Sequence, residues 1–353
     1  MRAPQGRIRF FISSLVTLAM IIPATVAIAS SHIDVVTTFP DRGSAEGVAV
    51  DKTGNVFASS TFTGELLKFA PGSSDFEVFG SIDGWAQGGQ FGAGFLGLAV
   101  DAQGNVYGAA QWAGSTGVYK FDRKTGEETL IAGTDEMIFP NAIAFDHRGN
   151  MYVTDSNSND LVTADIPAEI PLGAVWRVDK NGHAEKWLED PLLGGNGGAG
   201  LGAPVGANGI AYRQGTLTIA VVEGFGLVTV PILGEGDAGP ITPMDIPEWP
   251  FLPSPFGPIP AVPDGIALDV HGAIYVAAVA QNAVIRVNPD GSVDTLYVDA
   301  DREFLDFPSS LAFGTGKGFK QTLYVVNLAI GPPGGIGGAL VTLDVGVPGL
   351  PLP

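Results

Sequence analysis

The sequence predicts an all-β fold, a six-bladed β-propeller of four-stranded antiparallel blades. Three observations predict it. A five-residue apolar box recurs six times, each box leads into a tight turn and a β-branched or aromatic run, and the boxes lie about one blade length apart.

The first 29 residues read as a leader rather than as part of the fold. Arg2, Arg7 and Arg9 form a positive start, Phe10 to Ile22 an apolar stretch, and Ala27-Ile28-Ala29 a small-residue cleavage site. The expectation is a protein exported to the periplasm or the medium. Removing the leader takes away three Arg and no acid, so the net charge moves from −19 to −22. Such acidity argues against nucleic acid or anionic lipid as a partner, and no membrane association is expected once the leader is gone. With no cysteine, the exported fold does not depend on disulfides.

Residues 32–39 (His-Ile-Asp-Val-Val-Thr-Thr-Phe) precede the first box without a blade of their own. They are expected to supply the outermost strand of the last blade and close the ring. The boxes then run Gly47-Val-Ala-Val-Asp51, Gly97-Leu-Ala-Val-Asp101, Ala142-Ile-Ala-Phe-Asp146, Gly209-Ile-Ala-Tyr-Arg213, Gly265-Ile-Ala-Leu-Asp269 and Ser310-Leu-Ala-Phe-Gly314. Their intervals are 50, 45, 67, 56 and 45 residues, and the two longest carry Gly-rich or Pro-rich insertions. Inner strands of a propeller are buried on both faces, which explains their unbroken apolar character.

A turn such as Asp51-Lys-Thr-Gly54-Asn55 follows each box, then a second run such as Val56-Phe57, Val106-Tyr107 or Ile274-Tyr275-Val276: a hairpin signature. The third runs, Glu65–Phe69, Gly117–Phe121, Ala174–Val178 and Ala283–Val287, alternate polar with apolar residues as outer strands do. A fourth, edge strand such as Val293–Tyr297 completes the meander. The propeller is expected over residues 30–345, with 346–353 as a Pro-rich tail. Neither insertion, 190–207 nor 245–263, has alternating runs enough for a seventh blade.

The residue before each box starts an inner strand at one face and points toward the channel. These six are Glu46, Leu96, Asn141, Asn208, Asp264 and Ser309. Glu46, Asn141, Asn208 and Asp264 are oxygen donors in one register, which suits a hard divalent cation, Ca²⁺ first. Asn and Asp also cap strand ends, but the boxes fix this register four times over. None of His32, His147, His183 and His271 occupies a ring position. His147 and His271 fall in turns at the opposite end of the inner strand.

At these residues the chain resembles the gluconolactonase/regucalcin (senescence marker protein) family of six-bladed propellers, with paraoxonases as more distant relatives. The resemblance spans about residues 40 to 330. It rests on Glu46-Gly47, Pro140-Asn141, Asn208-Gly209, Pro263-Asp264-Gly265 with Gly272-Ala-Ile-Tyr-Val276, and Tyr152-Val-Thr-Asp155-Ser156. It implies that Glu46, Asn208 and Asp264 bind a divalent metal, that Asn141 is a ligand or substrate contact, and that Asp264 is also the general base. Two departures point away from a sugar lactone and from paraoxonase chemistry. Phe139-Pro-Asn141-Ala142 stands where the gluconolactonase branch carries Arg-x-Asn-Asp-Gly, and Leu96-Gly97 stands where paraoxonase-like enzymes place a catalytic His.

The loops expected over the ring are long and aromatic, and Trp85, Phe95, Trp112, Phe139, Phe225 and Trp249 are expected to contact substrate. The Gly-rich segment Asn196–Gly202 lacks the strand and helix of a nucleotide loop. With the resemblance, these features lead to the expectation of a calcium-dependent hydrolase of lactones or related esters, acting on an apolar small-molecule substrate. The alternative is a non-enzymatic propeller, like NHL-repeat proteins, that binds a ligand or protein, and a third reading is an exported protein in which Ca²⁺ is purely structural.

Overall fold

The computed structural model describes residues 32–352 apart from 42, 84–93, 112–113, 158–171, 196–203, 235 and 256. The expected leader, 1–29, lies outside the described residues. The chain folds as six four-stranded antiparallel sheets in sequence order, a six-bladed β-propeller without an α-helix among those residues. The inner strands are Ala45–Val50, Gly94–Val100, Pro140–Phe145, Ala207–Arg213, Pro263–Leu268 and Pro308–Phe313, one for each box.

The Asp that ends four of the boxes makes the turn. Asp51 Oδ1 accepts the N–H groups of Thr53 and Asn55 at 2.8 and 2.9 Å. Gly54, at φ +90°, supplies the left-handed residue that brings the chain back. Asp101, Asp146 and Asp269 accept the corresponding pair of N–H groups in their own turns. This repeated side-chain clamp explains why each box ends where it does.

The ring closes as expected. Ile33–Thr38 pairs antiparallel with Ala339–Asp344, from Ile33 opposite Leu343 to Thr38 opposite Ala339, as the outermost strand of blade 6. The core is divided among the six blade-to-blade interfaces, each with its own cluster of buried side chains. Tyr152, at the interface of blades 3 and 4, and Tyr275, between blades 5 and 6, are fully buried examples.

Two features differ from a plain six-repeat reading. The 245–263 insertion holds a two-stranded hairpin of its own, Phe251–Leu252 with Ile259–Pro260, outside any blade. The Pro-rich tail also has a seat. Val270 N–H donates to Pro348 at 3.1 Å, Gly349 to Lys320 at 3.1 Å, and Leu350 to Leu268 at 2.8 Å, so the tail bridges blades 5 and 6 at the turn end of their inner strands.

Candidate metal centre

The channel side chains are aimed by a bulge at the start of every inner strand. The register with the second strand skips from Ala45 to Val48, Phe95 to Leu98, Pro140 to Ile143, Ala207 to Ile210, Pro263 to Ile266, and Pro308 to Ser310. Left out of the ladder are the six ring residues, five of them with the residue that follows. A bulge re-aims a side chain, and here it recurs at the same register of every inner strand.

The small residue after each ring position follows from crowding at the axis. A Cβ on Gly47 would lie 2.3 Å from the Leu96 carbonyl oxygen, one on Gly97 2.5 Å from Asn141 O, and one on Gly209 2.4 Å from Asp264 O. The bulged backbone groups are then tied by hydroxyls from the second strands. Ser59 Oγ accepts Gly47 N–H at 2.7 Å and donates to Leu96 O at 2.9 Å in the next blade. Thr154 Oγ1 accepts Ala142 N–H at 2.9 Å and donates to Asn208 O at 2.7 Å. Ser309 Oγ donates to Glu46 O at 3.0 Å, joining the last blade to the first.

Glu46, Asn141, Asn208 and Asp264 are all buried, at 5, 3, 5 and 4% exposure. Glu46 Oε2, Asn141 Oδ1 and Asp264 Oδ1 nevertheless have no hydrogen-bond partner. The Asn141 Oδ1 atom is an acceptor, and so are the two carboxyl oxygens once ionised, so in that state what they lack is a donor or a cation. Glu46 and Asn208 border a channel cavity of about 60 Å³ together with Ser309. Val48, Leu98, Ile210, Ile266 and Leu311 form the apolar layer beneath.

The Asn141 amide is oriented by its neighbour. Ser156 Oγ commits its proton to Ala207 O at 2.6 Å, so it can only accept from Asn141, whose Nδ2 lies 3.1 Å away. The Oδ1 atom is therefore the one left free. The Asn208 side chain donates to Asp264. Burial raises the Asp264 carboxyl far above the ordinary range, against the pull of that hydrogen bond. Burial and then repulsion from Asp264 raise Glu46 as well. No Lys, Arg or His compensates the pair among the described ion pairs.

Two carboxylates, two carboxamides and unmatched acceptor oxygens fit a hard divalent cation better than a soft one. Among the described residues there is no group of three or more His, Cys, Asp or Glu. A zinc-type donor set is thus not what these residues provide.

The expected aromatic contacts fall in different places. Phe139 is buried at the ring end of blade 3, its N–H bound to Asp155 Oδ1 at 2.6 Å. Phe225 and Trp249 both line an apolar cavity at the ring end of blade 4. Phe95 is fully buried between blades 1 and 2, 5.7 Å from the Phe121 ring, over the space that Gly108 leaves. It packs the two blades together. Trp85 and Trp112 lie outside the described residues.

Sequence reasoning missed two sets of residues. One is the hydroxyl set, Ser59, Thr154 and Ser156, whose only signal was Thr154-Asp155-Ser156 at the end of a second strand. The other is an apolar belt of Val222, Val262, Val279, Ala280 and Phe307, joined by Phe225 and Ile259, at the ring ends of blades 4 to 6. Its members are scattered over 86 residues of sequence, and no periodicity links them.

No family model matches the sequence, and no curated protein matches it. Solved structures do match. A luciferin-regenerating enzyme is 13% identical over 91% of this chain and 98% of its own, with a TM-score of 0.63. A regucalcin from Agrobacterium tumefaciens, described as a calcium-binding protein, is 18% identical over 92% and 97%, with a TM-score of 0.60. A gluconolactonase from Xanthomonas campestris is 16% identical over 92% of each chain, with a TM-score of 0.59. The likeness expected from the sequence is present in the architecture of nearly the whole chain. At these identities it establishes the fold, and function has to be argued from the site.

Proposed function

We propose that the protein is an exported, calcium-dependent hydrolase of lactones or related esters with a fairly hydrophobic substrate. The observation that carries this reading is the set of partnerless buried oxygens on Glu46, Asn141 and Asp264, each left out of the ladder by the bulge of its inner strand. The leader-like residues 1–29 support export, and the calcium-binding regucalcin and the gluconolactonase among its structural neighbours agree with the metal and the reaction class.

Glu46, Asn141, Asn208 and Asp264 would hold the cation. When bound, a divalent cation supplies Lewis-acid polarisation of the substrate carbonyl and stabilises the developing oxyanion. Water attacks the carbonyl carbon while Asp264 takes up its proton. The C–O bond of the ring or ester then breaks, and the proton passes to the departing alkoxide. Burial raises the basicity of Asp264 and a bound cation lowers it, so the two opposing influences set its working range. The apolar belt beside the ring keeps bulk water away from the reacting carbonyl and favours an uncharged substrate.

The test is calcium titration by calorimetry on protein lacking residues 1–29, followed by hydrolysis assays on a series of γ-lactones. A single site is expected, weakened by Glu46→Gln, with turnover lost in Asp264→Asn. No heat of binding, and no effect of a chelator on the melting temperature, would sink the metal and the hydrolase together. Leu96 and Ser309 at ring positions, and Phe139 where a sugar-gripping Arg would stand, favour the second reading, an NHL-like binding propeller. Calcium binding without turnover of any lactone or ester would decide for it.

A further inference from the structure

A second cavity opens at the ring end of blade 4. It measures about 520 Å³, within the range of ligand pockets. One side is the blade, with Val221, Leu227 and Met244. The other is the insertion, with Ile246, Trp249 and Phe251. Among its described lining residues none is charged, in a chain with 37 acidic residues. The one side-chain hydrogen-bond donor among those residues, Trp249 Nε1, is already bound to Ala261 O at 3.0 Å.

The cavity is continuous in sequence and packing with the candidate centre. Val221 pairs directly with Ala207, the residue before Asn208. Pro260, another lining residue, stands four positions before Asp264 on the same segment. Phe225 belongs to both regions, lining the cavity and packing into the apolar belt with Val222 and Val262. It sits in a left-handed backbone conformation, φ +50°, that L side chains seldom adopt. Phe251 is 71% exposed, an uncovered aromatic at the mouth.

We infer that this cavity binds the hydrocarbon chain of a neutral, lipophilic ligand, and that in the proposed reaction it holds the alkyl side chain of the lactone or ester. The first part stands on the cavity alone, and only the second rests on the hydrolase reading. With no charged side chain and no free side-chain donor among the described lining residues, a carboxylate or sugar would lose most of its hydration without compensation. A hydrocarbon chain loses nothing of that kind and gains roughly fourfold in affinity for each methylene buried. The insertion hairpin, which no blade requires, supplies the wall that makes the cavity.

The test uses N-phenyl-1-naphthylamine, a neutral lipophilic fluorophore, displaced by 1-decanol, on protein lacking residues 1–29. Met244→Arg places a charge in the cavity and is expected to weaken the probe by about tenfold or more. Phe251→Ser, at an exposed position that does not threaten folding, is expected to weaken it less. Asp264→Asn is expected to bind the probe as the parent does. Equal probe affinity in Met244→Arg and Phe251→Ser, with thermal melts showing both folded, would overturn the inference. Loss of the probe in Asp264→Asn would place the ligand in the channel and overturn it too. For activity, γ-decalactone is expected to lose its advantage over γ-butyrolactone in Met244→Arg while the short lactone is unaffected. If the probe binds as described and no lactone is hydrolysed, the cavity stands and the hydrolase reading alone fails.

Discussion

Asn141 and Ser156 are joined by a hydrogen bond of 3.1 Å in which the hydroxyl is the acceptor, because its own proton goes to Ala207 O at 2.6 Å. One buried serine thereby orients a ring amide on blade 3 and anchors the strand of blade 4 that carries Asn208. Ser156→Ala removes both contacts. The amide is then free to turn, and calcium affinity is expected to fall about 10-fold or more, the usual cost of losing a group that orients a ligand. The leftover Ala207 carbonyl and Asn141 amide are expected to cost about 1–3 kcal/mol of stability. Ser156→Thr should restore calcium affinity, as read by calorimetry. A purely structural serine would lose stability in Ser156→Ala and keep the affinity.

The buried carboxyls give the protein a pH dependence with a definite sign. Burial holds Glu46 above 4.5 and raises Asp264 from 3.8 to about 8, so the folded chain binds more protons than the unfolded chain between those limits. Their contribution to stability is full below about pH 4 and is lost as pH rises toward 8, at up to about 1.4 kcal/mol per pH unit for each proton. Without calcium, the melting temperature is expected to fall from pH 5 to pH 8, less steeply in Glu46→Gln. Saturating calcium should flatten the curve, because cation binding displaces the protons. A calcium-free melting temperature that rises over this range would contradict the burial of an unmatched pair.

Phe95 tests the boundary between core and site. It is fully buried against Phe121 and over Gly108. Phe95→Ala is expected to cost about 3–5 kcal/mol in chemical denaturation. In the proposed reaction, the folded variant at low temperature should keep the parent's preference among lactones of different chain length. A changed preference with little loss of stability would return Phe95 to the rim.

The six boxes, their turns and the closing strand were legible in the sequence because each rests on local chemistry. An Asp two and four residues before the N–H groups it accepts, a glycine at the left-handed position of a turn and an unbroken apolar strand all leave a mark within a dozen residues. The ring positions were legible for a related reason: a repeated box carries its register with it, so Glu46, Asn141, Asn208 and Asp264 could be aligned without coordinates. Only the tertiary structure decided how those side chains are held. Ser156 meets a carbonyl 51 residues away, and Ser309 meets one 263 residues away. It also decided that Phe95 packs between blades, since a strand buried on both faces shows no alternation to tell channel from core. The apolar belt and the cavity by Trp249 arise where three blade ends and an insertion meet, a contact of distant segments that no local pattern encodes.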